Sequence, residues 1–296
     1  MAYIEVKDLV RVYRIGAVEV RALRGLSMSV REGELISVMG PSGSGKTTLL
    51  NILGGLDRAT AGEAVVGDVD VTFLDQKQLV MYRRRVVGHI FQTLNLVPTL
   101  TAAENVALPM IVNQIPRSER RERVDELLEI VQLSDRARHK PDELSGGEQQ
   151  RVAIATALAN DPPIVLADEP TGELDSETSQ VIVDFLVQIN QKYNKTIILV
   201  THNALVAAAT ERILRIDDGI IKAAYTPAEL EAGPEGRSVS YVDQMRQRIK
   251  KLSSELKDLD KKFKKGDVSG DEYVEERLRL KAAILGLEDE VHRHGG

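Results

Sequence analysis

An eight-residue glycine-rich motif constrains the fold of this chain more than any other feature. Residues 40–47 read Gly-Pro-Ser-Gly-Ser-Gly-Lys-Thr, which matches the pattern G-x-x-x-x-G-K-[ST]. The motif follows the apolar run Leu35–Met39 and opens the helical pattern Thr48–Leu53, as a phosphate-binding loop between a strand and a helix requires. Glycines let backbone amides turn toward phosphate oxygens, and the helix N-terminus adds partial positive charge. The motif therefore predicts nucleotide binding.

Two side chains of the motif have predicted chemical roles. Lys46 supplies a mobile positive charge for phosphate oxygens, and the Thr47 hydroxyl is placed to ligate Mg²⁺. A chance glycine-rich turn before a helix is the alternative, and the strand–loop–helix context disfavours it. The predicted nucleotide contacts are Gly40, Pro41, Ser42, Gly43, Ser44, Gly45, Lys46, Thr47 and Thr48.

Two adjacent carboxylates end another apolar run, Ile164–Ala167. Alternation along a strand points neighbouring side chains in different directions, so Asp168 and Glu169 can take different roles. We predict that Asp168 holds Mg²⁺ through water and that Glu169 polarises the attacking water as a general base. The alternative is a strand-end acidic pair that only caps the following helix.

Short apolar runs alternate with amphipathic helical patterns up to about residue 222, which predicts an α/β fold with a largely parallel central sheet. The stretch Thr101–Leu158 lacks a convincing strand and is predicted to be a helical insertion. The predicted strands are Leu35–Met39, Val86–Phe91, Ile164–Ala167, Ile197–Val200 and Ile213–Ile216, and the clearest helices are Arg117–Leu133 and Ser176–Tyr193.

The composition excludes several classes of protein. No apolar run reaches about 18 residues, so no transmembrane helix is expected, and no basic segment leads into an apolar one as in a secretory signal. The chain has no cysteine, which excludes disulfides, thiolate metal sites and cysteine nucleophiles. A net charge of −6 and 4% aromatic residues argue against a nucleic-acid partner.

The motif Leu-Ser-Gly-Gly-Glu-Gln-Gln at residues 144–150 indicates the family. Physically, Ser145-Gly-Gly begins a helical pattern that runs to Leu158, so it offers a second set of free backbone amides to an anion. With the phosphate loop and Asp168-Glu169 in this order, the chain resembles the ATP-binding subunits of ABC transporters over roughly residues 3–222. This resemblance implies ATP and Mg²⁺ as ligands. It also implies a P-loop NTPase fold with a mainly parallel core, an antiparallel N-terminal β part and a helical subdomain at about residues 93–160, within an ATPase domain of residues 1–225.

The resemblance implies further site residues. Gln92 matches the glutamine that touches Mg²⁺ and links to a membrane subunit, and His202 matches the histidine that contacts the γ-phosphate. Both join Glu169 and Lys46 as catalytic candidates. Tyr13 matches the aromatic residue that stacks on adenine, although an N-terminal tyrosine is more often structural. The residues expected to contact ATP from a second copy of the chain are Ser145, Gly146, Gly147, Glu148 and Asp175.

A finer resemblance extends from Phe91 to Pro109, which looks like the group of lipoprotein-export, macrolide-export and cell-division ATPases. It implies a homodimer closed through its ATP sites on the inner face of the cell membrane. It also implies a separate permease with four transmembrane helices and an extracytoplasmic domain. Thr156 and Glu173 depart from the group, where Arg and Asn are usual, but neither departure removes a reacting group.

Three functions are compatible with these motifs. The first is an ATPase subunit that drives efflux or extraction of an amphiphilic substrate. The second is a cell-division ATPase that regulates an extracytoplasmic partner without transport, and the shared motifs hardly separate the two. The third, a soluble ABC ATPase of the DNA-repair or translation kind, is disfavoured because those carry two cassettes or a long coiled coil that splits one.

The sequence has a different pattern after Tyr225. Pro227, Gly233, Pro234 and Gly236 predict a linker at 226–237, before a helical region at 238–296. Residues 240–265 carry 9 basic and 4 acidic side chains, and residues 267–293 carry 4 and 8, so the two segments have opposite net charge. We predict an antiparallel helical hairpin that clamps or stabilises the dimer, binds a regulator or lies near anionic lipids. The apolar residues along the first helix of the hairpin are Val242, Met245, Ile249, Leu252, Leu256, Leu259 and Phe263. Ser269–Glu272 would cap the second helix. The corresponding residues of the second helix are Tyr273, Leu280, Ile284, Leu287 and Val291, and Arg277 takes one position of this row.

Overall fold

A computed structural model describes residues 2–16, 18–172, 174–231 and 241–265, together with residues 273, 277, 279–281 and 284. The chain divides into two compact units, Met1–Gly236 and Arg237–Gly296. Within the described residues, no helix combines the length and apolar character that crossing a lipid bilayer requires.

The described residues of the first unit form ten strands and eight α-helices. The strands are β1 Ala2–Ile15, β2 Val18–Arg31, β3 Leu35–Met39, β4 Ala61–Val66, β5 Val69–Asp70, β6 Val87–Ile90, β7 Ile164–Asp168, β8 Thr196–Thr201, β9 Arg212–Asp217 and β10 Ile220–Tyr225. The helices are α1 Lys46–Leu53, α2 Gln76–Arg85, α3 Ala102–Val112, α4 Arg117–Ile130, α5 Gly146–Leu158, α6 Ser176–Tyr193, α7 Ala204–Ala208 and α8 Pro227–Glu231.

A six-stranded sheet forms the centre of this unit, in the order β10-β9-β3-β8-β7-β6. All neighbouring strands are parallel except the β9–β10 pair at one edge. Every residue of β8 is buried, as expected for a strand covered on both faces. The predicted α/β fold and its five parallel strands are confirmed.

A second, antiparallel sheet in the order β2-β1-β4-β5 packs against the central sheet. Ile4, Leu9 and Leu26 of this sheet are fully buried in one hydrophobic cluster with Leu49 and Leu53 of α1. The antiparallel N-terminal part implied by the family resemblance is therefore present, and it covers the helix that follows the phosphate loop.

Residues 101–158 form helices and short 3₁₀ turns without a strand, as predicted. Thr101 begins α3 through a capping box with Glu104. The side chain of buried Asn105 donates to three carbonyls of residues 97–101 and accepts from the amide of Val97 at 2.7 Å. These hydrogen bonds fix the backbone of residues 97–101, which connect Gln92 to α3.

The second unit contains one long described helix, α9 Tyr241–Lys265. The apolar side chains Ile249, Leu252, Leu256 and Leu259 are half-buried along one face of this helix. Near its end, Phe263 stacks on Tyr273 with ring centroids 4.0 Å apart, and Asp260 accepts from the Tyr273 hydroxyl at 2.7 Å and Arg277 Nε at 3.3 Å.

These contacts are the ones that an antiparallel hairpin would make, because later residues of the second segment meet earlier residues of α9. The hairpin remains a proposal, since the predicted cap Ser269–Glu272 and the apolar residues Leu287 and Val291 lie outside the described residues. Within the predicted linker, residues 227–231 form α8, begun by a capping box between Thr226 and Glu229. The predicted linker thus contains a short helix, and the domain boundary near residue 226 stays a prediction.

We predict that a chain ending at Gly236 folds and hydrolyses ATP without the second unit. The described hydrophobic clusters of the first unit draw all their members from residues before this point. Far-UV circular dichroism, a cooperative thermal transition and the ATPase rate of the shortened chain would check it. An insoluble product would mean that residues 237–296 belong to the core of the first unit.

Candidate nucleotide-binding and hydrolysis site

The phosphate loop lies between the end of β3 and the start of α1 and is packed closely by other backbone. Gly45 precedes α1 with φ +102°, a conformation that favours glycine, and a Cβ there would lie 2.5 Å from the carbonyl oxygen of Ala22. A Cβ on Gly40 would overlap the carbonyl oxygen of Ile216. The loop can therefore take its shape only with glycine at both positions.

The lysine of the motif is held across the loop. Lys46 Nζ donates to the carbonyl oxygens of Gly40 and Pro41, both at 2.9 Å, and the side chain is largely buried. The buried hydroxyl of Ser44 has no hydrogen-bond partner among the residues that the structure describes, so this donor is available to a ligand. The backbone carbonyl of Ser44 accepts from the amide of Gly219 in the β9–β10 turn at 3.0 Å.

Asp168, the last residue of β7, lies beside the loop. Burial raises the pKa of its carboxyl group and the nearby charge of Glu169 adds to this, while a hydrogen bond from Thr47 and the charge of Lys46 oppose the rise. Asp168 Oδ1 is buried and has no hydrogen-bond partner in the described part of the chain. A hard cation between Asp168 and the Thr47 hydroxyl would satisfy this oxygen, so the residues present fit Mg²⁺.

No described group of three or more acidic, histidine or cysteine side chains could hold a metal ion by itself. A cation at Asp168 would therefore need further oxygen ligands from water or from phosphate. Mg²⁺ commonly takes this arrangement with one or two protein oxygens.

Glu169 and His202 form a direct pair. Glu169 Oε2 and His202 Nδ1 lie 2.8 Å apart; the glutamate side chain is 13% exposed and the histidine 69%. A carboxylate can only accept, so Nδ1 carries the shared proton and Nε2 faces away from the pair. The strand ends at Asp168, and Glu169 has φ +48°, in the left-handed region. This backbone turn, rather than strand alternation, separates the directions of the two carboxylates.

Gln92 lies two residues past the end of β6 and is exposed. Its Nε2 atom lies 4.0 Å from the position that a Cβ would take on Gly172. The Gly172 amide in turn donates to the carbonyl oxygen of Glu169 at 3.0 Å. The fold therefore brings the predicted Gln92, Asp168, Glu169 and His202 to one edge of the central sheet, beside the phosphate loop.

Tyr13 lies in the β1–β2 hairpin, opposite Val20. Ala22 of the same hairpin meets Gly45, and two residues of strand span roughly 7 Å, so Tyr13 is near the loop. Two side chains that the sequence analysis did not single out, Arg11 and Asp57, contact the Tyr13 side chain. The sequence spacing could have predicted the contact between Arg11 and Tyr13, because residues two apart on a strand share a face.

The residues predicted to act on a second copy form a separate cluster. Exposed Ser145 caps α5 in a capping box with Glu148, and the two hydrogen bonds from Ser145 hold the pKa of the Glu148 carboxyl below its usual range. Gly147 packs so closely on Thr178 that a Cβ would overlap it. Asp175 caps α6 by accepting from the Thr178 amide and hydroxyl, which lowers the pKa of its carboxyl group.

A glycine-lined anion loop, a buried acid beside its threonine and a glutamate–histidine pair together define a P-loop nucleotide hydrolase. The family described as ABC transporter matches residues 23–172. The chain belongs to this family, and it is an ATPase that serves as the ATP-binding subunit of an ABC transporter.

Several known proteins are similar to this chain. An uncharacterized ABC transporter ATP-binding protein of Thermotoga maritima is 47% identical over 239 residues, which cover 81% of this chain and 97% of that protein. The macrolide export ATP-binding/permease protein MacB of Hyphomonas neptunium is 46% identical over 218 residues, which cover 74% of this chain but 34% of that protein.

A solved structure is similar as well. It is the dimeric, post-hydrolysis state of the ATP-binding cassette MJ0796 with ADP and Pi bound, and the protein of that name comes from Methanocaldococcus jannaschii. The match has a TM-score of 0.71 and 44% identity, and it covers 76% of this chain and 98% of that one.

We predict that Gly40→Ala abolishes ATP binding, because the new methyl group would displace the loop from the Ile216 carbonyl. Gly25→Ala is the matched control: Gly25 lies in β2, outside the phosphate loop, and has φ +89° but open space around a Cβ, so the cost is backbone strain of about 1–2 kcal/mol. Isothermal titration with ATP and thermal unfolding of both variants would check this. Wild-type affinity in Gly40→Ala would contradict the close packing.

Proposed function

We propose that two copies of this chain close head to tail on two ATP molecules and so drive a separate membrane subunit. The observation that carries the proposal is the exposure of Ser145 and Gly146 at the start of α5. The Ser145 amide donates to Glu148 Oε2 at 2.8 Å, while the backbone of the next residue, Gly146, is exposed in a chain whose own phosphate loop lies elsewhere. A triphosphate held by Lys46 of one copy would meet this helix start on the other, as two helix N-termini sharing one anion.

The geometry supports one division of labour in hydrolysis. Glu169 would hold the attacking water and accept its proton, while His202 keeps the carboxylate oriented and turns Nε2 toward the γ-phosphate. Lys46 would compensate the charge on the phosphate oxygens. Thr47 and Asp168, with Gln92, would hold Mg²⁺, which neutralises phosphate charge when it is bound. Tyr13 would stack on adenine.

Cleavage of the γ-phosphoryl group would remove the anion that the two helix ends share. The closed pair would then lose its main electrostatic link and reopen, so ATP binding and hydrolysis would bias a two-state switch. The MJ0796 cassette, whose solved structure is dimeric with ADP and Pi, supports this cycle by similarity.

The transport path is proposed to belong to another polypeptide. On α3 the side chains of Leu108, Ile111 and Val112 are 36%, 48% and 47% exposed, spaced as one apolar helix face. This exposed apolar face is suited to a cytoplasmic helix of a permease. The similarity to MacB, a macrolide export ATP-binding/permease protein, favours efflux or extraction of an amphiphilic substrate from the inner face of the membrane.

We predict that Glu169→Gln slows ATP turnover by about 100-fold or more and accumulates an ATP-bound dimer, because the general base is lost while the phosphate contacts remain. Size-exclusion chromatography with light scattering, with and without ATP, would measure the dimer. The double variant Lys46→Ala Glu169→Gln should stay monomeric, and Glu177→Gln, an exposed glutamate in α6, should behave as wild type. A monomeric Glu169→Gln in ATP would contradict the closure proposal.

We predict that the wild-type chain, added to detergent-solubilised membranes of its own source, retains one integral membrane protein whose sequence shows transmembrane helices and an extracytoplasmic domain. Ile111→Asp should lose this partner and keep its ATPase rate in solution, because the substitution charges the exposed face of α3. Val181→Asp, at a 43% exposed apolar position of α6, is the control and should retain the partner. If both variants retain the partner equally, the exposed face of α3 is not the docking surface.

A further inference from the structure

Three side chains near the phosphate loop form a compact polar and aromatic cluster. The Tyr13 hydroxyl donates to Asp57 Oδ2 at 2.6 Å. Arg11 makes a two-pronged contact with the same carboxylate, from Nε to Oδ2 at 3.0 Å and from Nη2 to Oδ1 at 2.6 Å. The guanidinium carbon of Arg11 also lies 4.4 Å from the centre of the Tyr13 ring. The cluster thus holds the ring both at its hydroxyl and on one face.

The burial of this cluster favours a well-defined geometry. The side chains of Arg11 and Asp57 are 22% and 20% exposed, and a two-pronged arginine–carboxylate pair has a preferred planar geometry. Asp57 also accepts from the backbone amide of Arg58 at 2.7 Å. These bonds restrict both torsions of the tyrosine side chain before any ligand arrives.

The cluster is joined to the phosphate loop from two sides. Asp57 lies just past α1, the helix that begins in the loop, and its backbone amide donates to the carbonyl oxygen of Asn51 in that helix at 3.1 Å. On the other side, Ala22 of the hairpin that carries Tyr13 meets Gly45. The Asp57–Asn51 hydrogen bond and the Ala22–Gly45 contact therefore fix the distance between the Tyr13 ring and the backbone amides of the phosphate loop.

We propose that Arg11 and Asp57 are positioning residues that hold the Tyr13 ring as a one-sided stacking platform for the adenine of ATP. This rests on the proposed role of Tyr13 in the nucleotide site. Arg11 occupies one face of the ring, so the base stacks on the other face. A ring that is already held loses little side-chain entropy when the base arrives, which improves affinity without a new contact.

A stacking platform contacts the face of a base and not its edges. Loss of the positioning residues should therefore weaken the binding of ATP and the binding of GTP to a similar extent. The phosphate loop and the Glu169–His202 pair are untouched, so the turnover number at saturating nucleotide should stay within about twofold. Binding of inorganic tripolyphosphate, which has no base, should not change.

The experiment compares Asp57→Asn, Arg11→Met and Tyr13→Ala in the full chain. We expect Tyr13→Ala to raise KM for ATP about tenfold or more, and Asp57→Asn and Arg11→Met to raise it about three- to tenfold, each with kcat near wild type. Competition by tripolyphosphate should be equal in all variants. Arg14→Met is the matched control, since the Arg14 side chain is 80% exposed and pairs with Glu19 of β2 at 3.0 Å.

A double variant tests whether the tyrosine hydroxyl acts through Asp57. Tyr13→Phe should raise KM less than Tyr13→Ala, and Tyr13→Phe combined with Asp57→Asn should bind ATP no more weakly than Asp57→Asn alone. Additive losses in the double variant would overturn the positioning role.

The outcomes separate this inference from the proposed function. If Tyr13→Ala raises KM while Asp57→Asn and Arg11→Met do not, the positioning inference fails and the stacking role of Tyr13 stands. If Tyr13→Ala leaves KM unchanged, both fail. If Asp57→Asn weakens the binding of tripolyphosphate as much as the binding of ATP, the Asp57 carboxylate stabilises the phosphate loop and not the Tyr13 ring. The inference is then overturned.

Discussion

Close backbone packing around the phosphate loop is the constraint on which the nucleotide site depends. The carbonyl oxygens of Ile216 in β9 and Ala22 in β2 approach the loop so closely that Gly40 and Gly45 have no room for a side chain. The amide of Gly219, in the next turn, bonds the Ser44 carbonyl at the same place. Two strands from distant parts of the chain thus fix the backbone path of the loop, which an anion-binding loop requires.

The segment between β7 and α6 connects the two functional clusters within one copy of the chain. It begins with Asp168 and Glu169 beside the phosphate loop and ends at Asp175, which caps α6. Between them, Leu174 lies in van der Waals range of the position that a Cβ would take on Gly146. The segment that follows Glu169 therefore contacts the helix that is proposed to face the other copy's ATP.

Pattern and motif predicted the central sheet because buried parallel strands are short, continuous apolar runs. Leu35–Met39 was predicted at its observed bounds. The run predicted for β7 is one residue short at its C-terminal end, and the runs predicted for β6, β8 and β9 differ from the observed strands by one residue at each end. The helical insertion followed from the absence of such runs over residues 101–158. The α8 helix inside the predicted linker was missed, because five residues beginning at Pro227 are too few to show a helical period.

The site was predicted less completely than the fold. Lys46, Asp168 and Glu169 stand next to strands in the sequence, so local pattern places them. Asp57 shows no local signal of contact with Tyr13, since 44 residues separate them and only the packing of α1 against the N-terminal sheet brings them together. Likewise, the turn at Glu169 was expected to be ordinary strand alternation, but its positive φ depends on the bonds to Val200 and Gly172.

The sequence alone determined that this chain has a phosphate loop on a parallel sheet, an acidic strand end and a second amide-bearing helix start. These features are local, because each depends on residue types at fixed spacing within about ten residues. Tertiary structure decided which of them meet: that His202 reaches Glu169, that Ser145 faces outward, and that Arg11 and Asp57 hold the ring of Tyr13. The physical reason is that contacts between distant segments depend on how whole strands and helices pack, which no short stretch of sequence encodes.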